Sequence, residues 1–149
     1  MNVQVSDLMV TTVMTANAHQ TCGHIRKLLK DHNVNCLPIV NPEGEPVGIV
    51  SSVDFLDDHS EGTRISQFMT KKVYTVPQYS DASLAARIMR NHQIHHLIVT
   101  NHKKVVGILS SFDLLKLVEN HRFVLKNPPT PSARKGGKRR KEELRQVND

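Results

Sequence analysis

Gly48-Ile-Val-Ser-Ser-Val-Asp54 recurs fifty-nine residues later as Gly107-Ile-Leu-Ser-Ser-Phe-Asp113, with five of seven positions identical. Outward from this stretch the match continues at an offset of sixty. Val5-Ser-Asp-Leu-Met9 falls on Ile65-Ser-Gln-Phe-Met69, Val13-Met-Thr15 on Val73-Tyr-Thr75, His32 on His92 and Leu37 on Leu97. One extra residue in the turn Asn41-Pro-Glu-Gly-Glu-Pro46 accounts for the change of offset. The period is longer than that of most solenoid repeats, and two copies are too few for a stacked array. The pattern therefore describes a duplicated domain whose halves pack together, residues 1–62 and 63–125, followed by a tail, 126–149.

Each copy reads alike. A turn of helix (Ser6 to Met9; Ser66 to Met69) leads to a short strand, Val13 to Thr15 or Val73 to Val76. A helix follows, capped by Thr21 or Asp81, whose side-chain oxygens can accept from the first-turn amides. Its apolar face has helical spacing: Cys22, Ile25, Leu28 and Leu29 in one copy, Ala82, Ala85, Ile88 and Met89 in the other. Two apolar strands come next, Cys36 to Val40 and Pro46 to Val50, or His96 to Thr100 and Val105 to Leu109. A second helix opens at Ser51 or Ser110, short in the first copy and running through Leu114, Leu115, Leu117 and Val118 in the second. The expected fold is α/β (α+β), two β-α-β-β-α units with a sheet covered on at least one face.

Where strand gives way to helix, backbone N–H groups point outward without partners, and such a helix start attracts anions, phosphate among them. Gly48 and Gly107 lack a Cβ and would let a ligand or neighbouring backbone come close. The Ser51 and Ser110 hydroxyls can donate to a phosphate or hydroxyl oxygen. Asp54 and Asp113, one helical turn on, can accept from both hydroxyls of a ribose. The same Ser-x-x-Asp residues also read as a capping box that merely satisfies the first turn. On a single copy the capping reading is favoured, and the repetition inside a duplicated fold shifts the balance toward a site.

With both Gly-x-x-Ser-x-x-Asp segments, Val-x-Thr before the first long helix, His-Asn-Val-Asn-Cys-Leu-Pro-Ile-Val (32–40) and His-Gln-Ile-His-His-Leu-Ile-Val (92–99), the body resembles a tandem pair of CBS domains, the regulatory module named after cystathionine beta-synthase. The resemblance covers Val5 to about Val118 and none of the tail. It implies two repeats packed about a pseudo-twofold axis, frequent homodimers, and clefts between the repeats that hold adenosine ligands. In one cleft Asp113 would hold the ribose and Ser110 a phosphate, with adenine against Thr15, Ala16, Val34 and Asn35. In the other, Asp54 and Ser51 take those roles, with Thr75, Val76, Ile94 and His95 around the base. His95-His96 resembles the basic pair preceding the second strand in repeats of the gamma subunit of AMP-activated protein kinase, whereas the first copy has Asn35-Cys36. Stronger phosphate binding is therefore expected at the Asp113 cleft, rising as the histidines protonate below about 6.5. One departure from the repeat is Ile98 where the first copy has Pro38.

Other classes find less support. The chain carries +6 with its nine His neutral, but residues 126–149 hold eight Lys and Arg against three Asp and Glu, so the body is close to neutral at +1. The tail, with Pro128, Pro129, Pro131, Gly136 and Gly137, is expected to be disordered at least through Lys138. Its Arg134, Lys135, Lys138, Arg139, Arg140 and Lys141 solubilise the chain or touch nucleic acid, without interleaved aromatics for base stacking. Lys71 and Lys72 read as a solvated surface pair. Cys22 and Cys36 lie inside apolar patterns, which fits a reducing, cytoplasmic setting and excludes a disulfide-stapled scaffold. No apolar run approaches the ~20 residues of a membrane span, and no leader pattern opens the chain. His92, His95 and His96 should diverge, giving no metal site. No nucleophile elbow, P-loop or His-Glu-x-x-His is present, so no catalytic residues are expected. The expected function is a regulatory module sensing AMP, ADP or ATP, with S-adenosylmethionine or NAD also considered. It would need no cofactor and would signal to a protein partner in trans. The alternative is a nucleic-acid or ribosome-associated adaptor using the tail, with the duplicated body as dimerisation platform.

Overall fold

The computed structural model describes residues 2–126 apart from 12, 58, 120, 123 and 125. The expectations for the basic tail therefore lie outside the described residues from 127 onward. The elements in order are α1 (Val5–Leu8), α2 (Cys22–Asp31), β1 (Cys36–Val40), β2 (Pro46–Ser51), a 3-10 turn (Ser52–Phe55) and another (Ile65–Gln67). The second copy continues with β3 (Thr75–Pro77), α3 (Ala82–His92), β4 (His96–Asn101), β5 (Lys104–Ser110), α4 (Ser111–Leu114) and a closing 3-10 turn (Leu115–Leu117). The helix expected through Val118 thus tightens to 3-10 geometry after one α turn. Among the described residues no helix is long and apolar enough to cross a membrane.

In each copy the two apolar strands pair antiparallel, β1 with β2 and β4 with β5, and both ladders slip by a bulge at the same place, Ile39/Val40 and Val99/Thr100. The leading strand differs between copies. In the second, β3 runs parallel to β4 over Thr75 to Pro77. In the first, the strand expected at Val13 to Thr15 is reduced to one parallel bridge, Ala16 with Ile39. Pro38 supplies the reason. Ile98 N–H donates to Tyr74 O at 3.3 Å, and proline at the matching position has no N–H to give.

The caps are as the sequence indicates: Thr21 Oγ1 accepts from His24 N–H at 3.4 Å, and an Asp81 carboxylate oxygen from Ser83 N–H at 2.8 Å. The long helices then bury one stripe each, Cys22, Ile25 and Leu29 or Ala82, Ala85 and Met89.

Two cores result, and the leading segments are exchanged between them. Val5 and Leu8 of α1 pack with Val76, Ala82, Leu97 and Leu109 of the second copy. Ile65 packs with Ala16, Ile25, Leu37 and Val50 of the first. Backbone bonds follow the same exchange: Val5 N–H to Ser80 O (2.9 Å), Ile65 N–H to Gln20 O (2.8 Å), and isolated bridges of Val10 with Ile108 and Ile49 with Thr70. Each buried Val, Leu or Ile contributes roughly 1.5–3 kcal/mol, so each half depends on an anchor supplied by the sequence of the other.

This exchange explains the two glycines. A Cβ on Gly48 would sit 2.5 Å from Met69 Sδ, and one on Gly107 would sit 2.6 Å from Met9 Sδ and 3.0 Å from Val10 O. The close approach that glycine permits here is to a methionine thioether and, at Gly107, to neighbouring backbone, and not to a ligand.

Candidate functional site

Helix α3 stops at left-handed Gln93 (φ 54°), and α2 ends at His32 with left-handed Asn33 (φ 51°) after it. The next amide then reaches back into the last turn, Val34 N–H to Leu29 O at 3.1 Å and Ile94 N–H to Met89 O at 3.0 Å, a common helix ending. This redirects the chain into the strand that begins at Cys36 or His96. The second serine of each Ser-Ser pair fixes that segment. Ser52 N–H donates to Asn35 O (2.9 Å), and Ser111 N–H to His95 O (2.8 Å), with His95 Nδ1 3.4 Å from Ser111 Oγ. Sequence reasoning gave Ser52 and Ser111 no role, although their recurrence in both copies was the available signal.

The helix starts themselves form capping boxes. Ser51 N–H donates to Asp54 Oδ2 at 2.8 Å, Ser110 N–H to Asp113 Oδ2 at 2.9 Å, and Asp113 N–H to Ser110 Oγ at 3.1 Å. The expectation of several outward amides at each helix start is narrowed: those of Ser51, Ser52, Ser110, Ser111 and Asp113 have partners within the chain. One oxygen of each carboxylate is taken by the cap. Asp113 Oδ1 lies 3.9 Å from Lys116 Nζ.

Two clefts open at the junction of the copies. The larger, about 560 Å³, combines Ser51 and Asp54 of the first copy with Lys72, Tyr74, Ile94 and His95 of the second. The smaller, about 210 Å³, combines Ser110 and Asp113 with Val10, Met14, Val34 and Asn35. Asn35, Cys36 and His96 line both, so the two share a wall.

The structure thus brings Ser51, Asp54, Ile94 and His95 together, and Val34, Asn35, His96, Ser110 and Asp113 together. It does not bring Thr15, Ala16, Thr75 or Val76 to these clefts. Thr15 and Ala16 line a separate hollow with Val40 and Pro42, Thr75 lines another with Tyr79 and Lys103, and Val76 is fully buried. Side chains alternate along an extended segment, and here they point to the core or the outer face. The cleft edge is reached just before, by Met14 and Tyr74.

His95 belongs to the Asp54 cleft and is absent from the Asp113 cleft, which has only His96. The expected excess of cationic side chains at Asp113 is therefore reversed. Lys72, read as a solvated surface residue, also lines the Asp54 cleft, its Nζ 5.6 Å from the centre of the Tyr74 ring. Tyr74 stacks on His92 at 4.1 Å. The missed signal was divergence between copies, since the first has Thr12 and Met14 where the second has Lys72 and Tyr74. The three histidines diverge: His92 stacks on Tyr74, His95 faces Ser111 and His96 enters the shared wall.

Burial holds His96 below the ordinary imidazole value, with the His95 charge adding to the effect and Asp113 opposing it. Burial likewise pushes the Cys36 thiol up to about 12, aided by Asp54, so the shared wall carries a protonated, unreactive thiol at neutral pH.

Comparison with known proteins places this geometry. The model of the CBS domain matches residues 5–60 and again 65–120. The crystallised CBS domain pair of protein MJ0100, in complex with 5′-methylthioadenosine and S-adenosyl-L-methionine, superposes with a TM-score of 0.73 at 29% identity, covering 80% of this chain and 98% of that one. The CBS domain-containing protein YhcV of Bacillus subtilis is 30% identical over 115 residues, 74% of this chain and 81% of the relative. Uncharacterized protein MJ1404 of Methanocaldococcus jannaschii is 27% identical over 135 residues, 78% of this chain but 32% of its own length. The chain spans about a quarter of the length of two further curated relatives. With both repeats matched by the family model, the chain belongs to the CBS domain family, of which it carries a tandem pair.

Proposed function

We propose that the protein is a regulatory, non-catalytic module that binds adenosine nucleotides in the clefts between its CBS repeats and passes the resulting change of packing to a protein partner in trans. The observation that carries this reading is the pairing, twice over, of one repeat's Asp54 or Asp113 with the other repeat's 94–96 or 34–36 segment. Each carboxylate sits where it can accept from ribose hydroxyls while its backbone is held by a cap. The adenosine ligands of the MJ0100 pair, at 29% identity, support the same ligand class. Coupling to a partner requires only that the ligand favour one packing over another.

The reading includes a homodimer. Val53 (69% exposed) and Leu56 (81%) of the first helix start have repeat counterparts in Phe112 (77%) and Leu115 (54%). Such paired apolar surface suits an isologous contact with a second copy. The net +5 of residues 126–149 favours one second reading, a nucleic-acid adaptor that binds through the tail. Deleting the tail separates them: nucleotide binding survives under the first, whereas RNA or DNA binding with steep salt dependence is lost under the second.

The primary test is a thermal-shift panel of AMP, ADP, ATP, NAD and S-adenosylmethionine on the full chain. A ligand at a hundred times its dissociation constant stabilises by about 2.7 kcal/mol. The double variant Asp54→Ala/Asp113→Ala should lose the shift, and a wild type unmoved by every adenosine ligand would refute the proposal.

A further inference from the structure

Resting on the adenosine reading above, we infer that the two clefts divide ligands by charge. The Asp54 cleft takes the polyphosphate nucleotide, with Lys72 as its specificity-determining residue, and the Asp113 cleft takes an adenosine whose 5′ substituent carries no negative charge.

The division follows from what each cleft offers a phosphate. The Asp54 cleft has one carboxylate against a permanent cation, Lys72, and two imidazoles, His95 and His96. Lys72 is not left to sweep through solvent, because its ammonium rests 5.6 Å from the ring centre of half-buried Tyr74, which His92 backs from its own stacking contact at 4.1 Å. A cation so placed over an aromatic ring loses part of its hydration and rotamer freedom before any ligand arrives. His95 is held in turn by Ser111. Tyr74 adds an aromatic surface for a base. At about 560 Å³ the cleft lies within the range of small-molecule sites, ~300–1,000 Å³.

The Asp113 cleft differs in size and in charge. It has about 210 Å³, and neither a lysine nor an arginine is among the residues that line it. Its one lining histidine, His96, is half-buried and shared with the Asp54 cleft, and its carboxylate already meets Lys116, which does not line the cleft. A phosphate ester carrying ~1.5–2 negative charges would meet no lysine or arginine among the residues lining the cleft, Lys116 being engaged with the Asp113 carboxylate from outside it. A neutral or cationic 5′ substituent would need none. The sequence carries the same contrast: Lys72, Tyr74, His95 and His96 of the second repeat correspond to Thr12, Met14, Asn35 and Cys36 of the first.

The test is titration calorimetry of ATP and of adenosine, separately and without divalent cation, against the full-length wild type, Lys72→Met, Asp54→Ala and Asp113→Ala. Lys72 is exposed, so its replacement leaves the fold intact. Lys72→Met should weaken ATP by about tenfold or more, the loss of one charge-assisted contact, and leave adenosine unchanged. Asp54→Ala should abolish ATP binding and Asp113→Ala should spare it. The inference is overturned if ATP binding follows Asp113 instead, or if Lys72→Met leaves ATP unaffected or weakens adenosine equally. Wild-type protein that binds neither probe overturns the adenosine reading itself, whereas bound adenosine with Lys72-independent ATP overturns the division alone.

Discussion

Adding one methyl group at Gly107 should damage the protein far more than adding one at Gly48, although the two glycines occupy equivalent repeat positions. Neither has a positive φ, so alanine fits both backbones and reduces unfolded-state entropy, a gain of about 0.4–1 kcal/mol. At Gly48 the three nearest obstacles to the new Cβ are Met69 side-chain atoms, Sδ at 2.5 Å, Cγ at 3.0 Å and Cε at 3.2 Å. A flexible thioether can move aside for roughly 0.5–1.5 kcal/mol of rotamer strain, so the net change should stay within about 1 kcal/mol. At Gly107 the Cβ also meets Val10 O at 3.0 Å, and that carbonyl accepts Ile108 N–H at 3.0 Å while Val10 N–H donates to Ile108 O at 2.9 Å. Backbone cannot rotate away, so the bridge must open or the strand must shift. Overpacking of about 1–3 kcal/mol and weakening of two hydrogen bonds worth ~1 kcal/mol each outweigh the entropy gain by about 2 kcal/mol. In urea denaturation followed by circular dichroism, with a slope of about 2 kcal/mol/M, Gly107→Ala should lower the midpoint by about 1 M and Gly48→Ala by less than half of that. Equal losses, or a neutral Gly107→Ala, would refute the claim that a backbone carbonyl crowds the new Cβ at Gly107 while only Met69 side-chain atoms lie as close at Gly48.

Two further outcomes follow from the helix ends and the shared wall. Gln93 takes a left-handed conformation that costs a residue with a Cβ roughly 1–2 kcal/mol, so Gln93→Gly should stabilise by about 0.5–1 kcal/mol after the unfolded-state entropy of glycine is counted. Asn33→Gly should gain less because asparagine already tolerates that region, and equal gains in chemical denaturation would contradict this account. For His96 the folded pKa lies below the unfolded value near 6.5. The folded state then binds fewer protons between the two values, so stability is complete above about 6.5 and falls as pH drops through that value toward the lower, folded one. Melting curves at pH 7.5 and 5.5 should show His96→Gln losing less stability on acidification than the wild type, and a variant that loses as much would remove His96 from the explanation.

Local structure was legible because local chemistry decides it. Thr21 and Asp81 cap where their oxygens can reach first-turn amides, and the stripes beginning at Cys22 and Ala82 lie buried because apolar residues recur at helical spacing. Ser51 with Asp54 and Ser110 with Asp113 form the caps that Ser-x-x-Asp permits. The departures come from interactions that residue spacing does not encode. Pro38 erases most of a strand whose residues lie more than twenty positions earlier. The side-chain alternation of that segment places Ala16 and Val76 in the cores and hands the cleft edge to Met14 and Tyr74.

The deepest ambiguity is one of symmetry. Sliding a duplicated sequence on itself shows which segments correspond, and it gives the same answer whether a segment packs on its own copy or on the other. Met9 and Met69 match perfectly in alignment, yet each reaches a glycine of the other copy, Met9 against Gly107 of the second and Met69 against Gly48 of the first. Counting the His95-His96 pair toward the Asp113 cleft has the same origin. Its repeat owns Asp113, but the segment 94–96 crosses to the cleft of Asp54. Internal homology therefore defines the parts of both clefts and leaves their partners undetermined. What breaks the tie is physical: α1 has two apolar side chains, Val5 and Leu8, that need a core, and the one within reach is formed by α3 with β4 and β5. Once that anchor is exchanged, neither repeat retains a complete core alone, and each cleft at their junction is walled by residues of both repeats.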